Sequence, residues 1–272
     1  MNRNYLFACI IILCCSCRAE RYIYSPSPPS VPYFKEKGDS KLTAFYSVGD
    51  NAPQTTLNAG YDLQGAYALS DNWAVMFNYF HRTEKDNYSR LGNVFDTSAI
   101  RYRRNLAELG IGYILPLNRK HTITYNIYTG VAFGTFAIED NGVDKNNLAY
   151  SRQHTNPVTK TFLQGGFNFM TSDYVNLSLC GRFSWVHYGT NNTNYTTEEL
   201  VFFYLDKLPQ KTLFFFEPSF DMQFGLPQIN WLKLETSFTL TAGNLPGFYP
   251  HSRSVNTSIG LTADIGKLFT KH

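Results

Sequence analysis

What most constrains this chain is a two-residue alternation of bulky apolar side chains with small or polar ones, sustained over unusually long segments. From Leu57 to Leu69, Leu57, Ala59, Tyr61, Leu63, Gly65, Tyr67 and Leu69 share one face. Asn58, Gly60, Asp62, Gln64, Ala66 and Ala68 share the other. The same split runs from Ile123 to Thr135 and from Val255 to Ile265. Ten segments read this way, roughly 41–48, 57–69, 73–84, 103–115, 122–137, 158–170, 175–188, 212–225, 232–243 and 255–267. Most are far longer than the roughly five or six residues of a soluble strand, and close to the roughly 9–11 needed to cross hydrocarbon at a tilt.

The connections alternate in length. Tight turns fall at 70–72, 117–120, 172–174 and 228–230; longer links occupy 85–102, 138–157, 189–211 and 244–254, with a shorter one at 49–56. Short turns at one end and long loops at the other describe a barrel of the outer-membrane kind, whose periplasmic turns are short. The pattern predicts an all-β, up-and-down antiparallel transmembrane β-barrel of about ten strands over residues 40–272. Eight strands plus an edge hairpin is the alternative count.

A soluble barrel alternates equally well with its apolar face inward, so the content of each face must decide. The apolar face carries Val75, Phe77, Tyr79, Leu109, Ile111, Tyr113, Phe167, Phe169, Phe183, Trp185, Phe216, Phe220 and Phe224, which cannot all fit inside a narrow barrel. The other face is rich in glycine, with Gly60, Gly110, Gly112, Gly130, Gly134, Gly166, Gly260 and Gly266. Trp73, Tyr174 and Trp231 sit at the short turns, where an aromatic girdle is expected. The apolar face therefore meets lipid. Composition agrees: a mean hydropathy of -0.26 excludes a polytopic helical membrane protein, and 43% hydrophobic residues exclude disorder. A net charge of +3 is too small to imply nucleic acid.

The lumen then becomes readable. Its acids are Asp62, Glu108, Glu217, Asp221, Glu235 and Asp264; its bases are Lys41, Arg82, Arg104, Lys160, Arg182 and Lys233. Opposite charges in a confined space should pair, which predicts a plugged polar lumen and a structural network with no ligand. Hairpin register about 70–72 puts Arg82 beside Gly60 and diagonal to Asp62, an expected ion pair. Register about 227–230 brings Asp221 close to Glu235, to be separated by Lys233 or Arg182 or joined by one shared proton.

The first residues form a leader. One cation precedes the apolar run Tyr5–Leu13, as in a secretory signal peptide over 1–16. The following Leu13-Cys14-Cys15-Ser16-Cys17 resembles the lipobox of bacterial lipoproteins, which implies cleavage before Cys17 and its acylation, palmitate included; cleavage after Ala19 is the alternative. Four of the five cysteines lie here, so the remaining Cys180 has no disulfide partner and is expected to be an inert packing residue. Four prolines between Ser25 and Pro32 favour extended polyproline II. Residues 17–39 are expected to be a lipid anchor and periplasmic tether, with the lipid on the short-turn side.

No catalytic constellation stands out. Outer-membrane proteases of the omptin type carry acidic pairs and a histidine at the extracellular rim, whereas Asp221 and Glu235 lie towards the short turns. Barrel lipid A deacylases carry an outward His and Ser; His81 and His187 fall on outward parity, but neither has a serine two residues on. No metal motif and no glycine-rich phosphate loop is present, so neither cofactor nor metal is expected. The apolar stretch Leu200–Leu205 is expected to pair with 212–216 as a hairpin above the membrane, or to form an exposed patch.

With its lipobox-like leader, the Tyr/Pro-rich stretch Tyr24–Gly38 and its alternating aromatic strands, the chain resembles the small outer-membrane β-barrel proteins of Bacteroidota. The resemblance implies a Gram-negative outer-membrane location and this architecture, but no reaction. The expected function is a non-enzymatic barrel lipoprotein acting through its extracellular loops on a protein or glycan partner, in contact with outer-membrane lipids. A narrow channel, a rim enzyme acting on lipid A or peptides, and a soluble periplasmic barrel are the alternatives. Oligomeric state is left open.

Overall fold

A computed structural model describes residues 21–50, 53–88, 97–144, 146–172, 174–244 and 251–266. The elements in chain order begin with β1 (Tyr22–Tyr24), β2 (Ser40–Gly49), β3 (Thr55–Ala68), β4 (Trp73–Tyr88), β5 (Thr97–Pro116), β6 (Ile123–Val143), β7 (Ala149–Met170) and β8 (Val175–Tyr188). There follow β9 (Asn192–Thr193), helix α1 (Thr197–Phe202), a 3-10 turn (Leu205–Gln210), β10 (Thr212–Leu226), β11 (Ile229–Leu240), β12 (Ala242–Asn244), β13 (His251–Ser252) and β14 (Val255–Ala263).

Strands β2 to β8 pair in succession, β8 pairs β10, and β10, β11 and β14 continue the sheet until β14 pairs β2. The result is a closed ten-strand antiparallel barrel. Closure leaves no backbone edge for the membrane to satisfy, which is why only closed barrels and helices can span it. No helix among the described residues is long and apolar enough to do so.

The two faces separate as the alternation requires. Phe167, Phe183 and Phe220 are exposed on the outer wall, whereas Asp62 and Glu108 are fully buried inside. A soluble barrel would show the reverse. The lumen is nonetheless not purely polar. One apolar layer of Phe34, Met76, Ile114, Tyr128 and Phe162 lies near the short-turn end, and another with Tyr102, Phe136, Tyr188 and Phe215 lies towards the loop end. Some lumenal glycines make room for these rings: a Cβ on Gly112 would fall 2.2 Å from the ring of Tyr128. At Gly60 the backbones themselves approach, and a Cβ would sit 1.9 Å from the carbonyl oxygen of His81.

Strands β5, β6 and β7 run to 20, 21 and 22 residues, well past their expected ends. The links expected at 85–102 and 138–157 are therefore largely strand. Above the paired outward residues Ala107 and Phe133, the outward positions become Asn105, Arg103, Arg101 and Thr135, Ala137, Glu139. Here the outward residues are mostly polar and Ile100, Tyr102, Phe136 and Ile138 turn inward, so the apolar-outward signal is lost while the hydrogen-bonded ladder continues to Thr97 and Val143.

Two further expectations change. Leu200–Leu205 is no hairpin: a capping box, in which Thr196 accepts from the Glu199 amide and Glu199 accepts from the Thr196 amide, starts α1 instead. Leu205 and Leu208 of the following 3-10 turn are buried, while Val201 and Phe202 stay exposed. The larger change concerns the expected tether. Arg21–Pro32 and Phe34 are buried, and they run inside the barrel. Tyr33 donates to the carbonyl of His121 at the short-turn end, and Arg21 pairs with Asp140 at the loop end. The chain thus climbs the lumen from short turns to long loops as its number falls. At about 3.1 Å per polyproline residue, such a stretch covers about 40 Å, more than the roughly 25 Å lipid belt of a barrel.

Candidate functional site: a lumen filled by its own chain

A polyproline stretch has no internal hydrogen bonds, so every buried carbonyl in it needs an outside donor. The lumen supplies a column of amides. Gln64 donates to the Pro28 carbonyl at 2.8 Å and Gln164 to that of Ser30 at 2.7 Å. Asn126 and Asn168 both donate to the Pro32 carbonyl, at 3.2 and 3.0 Å. Proline carries no N–H, so Pro26, Pro28, Pro29 and Pro32 leave fewer donors to satisfy in a confined space. That is the physical reason such a sequence suits the inside of a barrel.

Above this column the segment is held by charge and by rings. Tyr24 donates to Glu217 at 3.0 Å and stacks on Phe215 with centroids 3.9 Å apart. Tyr188 donates to the Ile23 carbonyl at 2.7 Å, and Arg104 donates to that of Tyr22 while pairing with Glu84 at 2.5 Å. Ser25 also donates to Glu84. Residues 22–24 form a short parallel ladder with β13. The adjacent Arg253 reaches Glu84 at 2.9 Å and Asp86 at 2.8 Å, with its guanidinium 3.5 Å from the centre of the Tyr22 ring. Arg21 lies over the ring of Phe203, and Tyr195 joins Asp140 at 3.3 Å. Burial raises the Tyr195 phenol above its ordinary pKa, so it stays a neutral donor.

The charged residues read from sequence are brought together only in part. Lys160 bridges Glu108 at 3.1 Å and Glu217 at 3.5 Å, and Arg182 pairs with Glu108 at 3.2 Å and donates to Gln164. Gly60 does face Arg82, and Asp62 and Arg82 attract each other across the lumen without a direct hydrogen bond. Asp62 accepts from Ser47 at 2.5 Å, and the Arg82 guanidinium lies 5.2 Å from the centre of the Phe80 ring. Asp221 does come close to Glu235, as its diagonal neighbour across β10 and β11, but the cation that neutralises Glu235 is Lys41 at 2.8 Å. Asp221 accepts from Ser219 at 3.5 Å, and Lys233 and Asp264 line a cavity of about 50 Å³ at the short-turn mouth. Cys180 is buried. His81 joins Asn105 at 2.5 Å and His187 is exposed, and among the described residues no carboxylate is hydrogen-bonded to either ring.

Glu84, Asp86, Asp140, Arg21 and Arg253 were not singled out by sequence. Glu84 and Asp86 continue the inward parity of Arg82, and Asp140 continues that of Phe136 and Ile138, so following the alternation past the apolar belt would have found them. Nothing periodic marks Arg21 or Arg253.

No protein-family model matches the chain, and no curated protein matches it in sequence. Among solved structures it is similar to the outer membrane protease OmpT from Escherichia coli, at 9% identity over 88% of this chain and 100% of that one, with a TM-score of 0.49. It is also similar to the outer membrane protein OprG from Pseudomonas aeruginosa, at 10% identity over 84% and 96%, with a TM-score of 0.39. A third is Ail, the attachment invasion locus protein of Yersinia pestis, at 10% identity over 84% and 98%, with a TM-score of 0.30. These likenesses are of barrel outline; the architecture above stands on strand pairing and on the two faces of the wall.

Proposed function

We propose that this chain is a non-enzymatic outer-membrane barrel lipoprotein whose long-loop end serves as an interaction or accessory surface for a protein or glycan. The observation that carries this reading is the lumen filled by residues 21–34. The cavities of about 30 and 50 Å³ beside that segment have room for little more than water. A barrel stoppered in this way works by what its rim presents. Planar-bilayer recording tests the first half: the full mature protein should give no steady openings, and steady openings would overturn the reading. Lipid A and peptide substrates test the second, because His81→Ala and His187→Ala should leave both unprocessed pools as the wild type leaves them.

The proposed anchor is Cys17, which lies outside the described residues. The lipobox-like leader supports acylation, as does the resemblance to Bacteroidota barrels. The direction of 21–34 supports a place for the anchor on the long-loop side, opposite to the short-turn side that the leader alone suggests. Arg21 is at the long-loop end, and four residues reach at most about 14 Å. An acyl group on Cys17 therefore belongs to the outer leaflet in this reading. An epitope placed between Ala19 and Glu20 should be detected by antibody on intact cells; detection only after permeabilisation would return the anchor to the periplasmic side.

A further inference from the structure

One sector of the outer wall departs from its otherwise uncharged character. Above the apolar belt, β4 presents His81, Thr83 and Lys85 outward, and β5 presents Asn105, Arg103 and Arg101 directly opposite them. The side chains of Arg101 and Arg103 are 45% and 48% exposed, in contrast to the arginines of the lumen. Glu139 of β6 faces Arg101 and touches both arginines, which leaves three cations against one carboxylate. Level with the two arginines on β7 the outward residues are Gln153 and Thr155, neither of them charged.

Height gives this cluster its meaning. The last bulky apolar rung below it is Tyr79, Ala107 and Phe133, side by side on three strands. Arg103 lies four residues further along β5, which is about 10 Å up the membrane normal for a strand tilted by about 40°. The polar headgroup zone begins at the edge of the hydrocarbon and is about 5–7 Å deep. The long Arg103 side chain can therefore reach back into it, and Lys85 and Arg101 stand about 5 Å higher to meet the outer part of a large headgroup. In the apolar rung, small Ala107 stands between the rings of Tyr79 and Phe133. Beside them a shallow depression of about 440 Å³ is lined by Thr56, Lys85, Asn87, Arg101, Glu139 and Asn141.

We propose that Lys85, Arg101 and Arg103 bind the phosphorylated headgroup of an outer-leaflet lipid whose acyl chains lie against Ala107 and the belt below. Arginine forks match phosphate oxygens bidentately, and lysine adds a point charge. Glu139 orients the two guanidinium groups and opposes the phosphate electrostatically. The proposal rests on the membrane-spanning barrel and is independent of what the loops bind.

The test uses the full-length protein in detergent, titrated with bis-phosphorylated lipid A and with the same lipid stripped of phosphate. Wild type should prefer the phosphorylated form. The triple variant Lys85→Gln, Arg101→Gln, Arg103→Gln should bind that form at least about tenfold more weakly, with little change for the stripped lipid. Glu139→Gln should bind it several-fold more tightly, an effect that a purely structural Glu139 would not produce. Retained heat-modifiable gel mobility reports that each variant is folded. Equal wild-type binding of the two lipids, or an unchanged triple variant, would overturn the proposal. So would inorganic phosphate competing as well as the phosphorylated lipid, which would mark a simple anion site.

Discussion

Arginine meets glutamate both inside this barrel and outside it, with opposite consequences. Arg182 and Glu108 are wholly sequestered, with Lys160 also pairing with Glu108 and Gln164 also accepting from Arg182. Arg103 is half exposed and Glu139 a quarter exposed on the outer wall. A buried pair is costly to assemble and costlier to break, because removing one partner strands the other. An exposed pair contributes little, and salt screens it. The inner charges therefore determine whether the structure persists, while the outer ones remain available to a ligand.

Deleting 21–34 should have the largest effect. It removes the acceptors of Gln64, Gln164, Asn126 and Asn168 together with the Tyr24 contact to Glu217. Steady single-channel openings are expected in planar bilayers where the intact protein gives none; a silent deletion variant would mean that side chains alone close the lumen. Glu108→Ala comes next. It leaves both Lys160 and Arg182 to share Glu217, and a loss of about 3–5 kcal/mol is expected in urea unfolding. Gln64→Ala should cost about 1–3 kcal/mol by leaving the Pro28 carbonyl unsatisfied. The smallest change is expected from Glu139→Ala, at most about 1 kcal/mol and shrinking further in high salt. Equal losses for Glu108→Ala and Glu139→Ala would erase the distinction between the two settings.

The strands were legible because one face of each must be bulky and uncharged to meet lipid. The 60–82 register followed from the tight turn between β3 and β4. Ion pairing was less legible, since cross-strand register names neighbours while long side chains reach past them. Lys41 on β2 finds Glu235 on β11, with β14 between them in the sheet. Arg182 on β8 likewise finds Glu108 on β5. The lumenal segment is illegible for a related reason. Polyproline has no periodic apolar face, and its burial depends on Gln64, Asn126, Gln164 and Asn168, which are scattered over three strands. Composition alone makes such a stretch look like a spacer. Helix α1 is a different case, since Thr196 and Glu199 carry a local capping signal in the polar residues just ahead of the apolar stretch.

The seam between β14 and β2 has a topological corollary. A strip that enters a closed cylinder at one mouth and reaches the other has no sideways exit, so it can only slide lengthwise, like a bolt in its barrel. Assembly must therefore seat the strip before the last two staves zip together, or draw it through afterwards from one end.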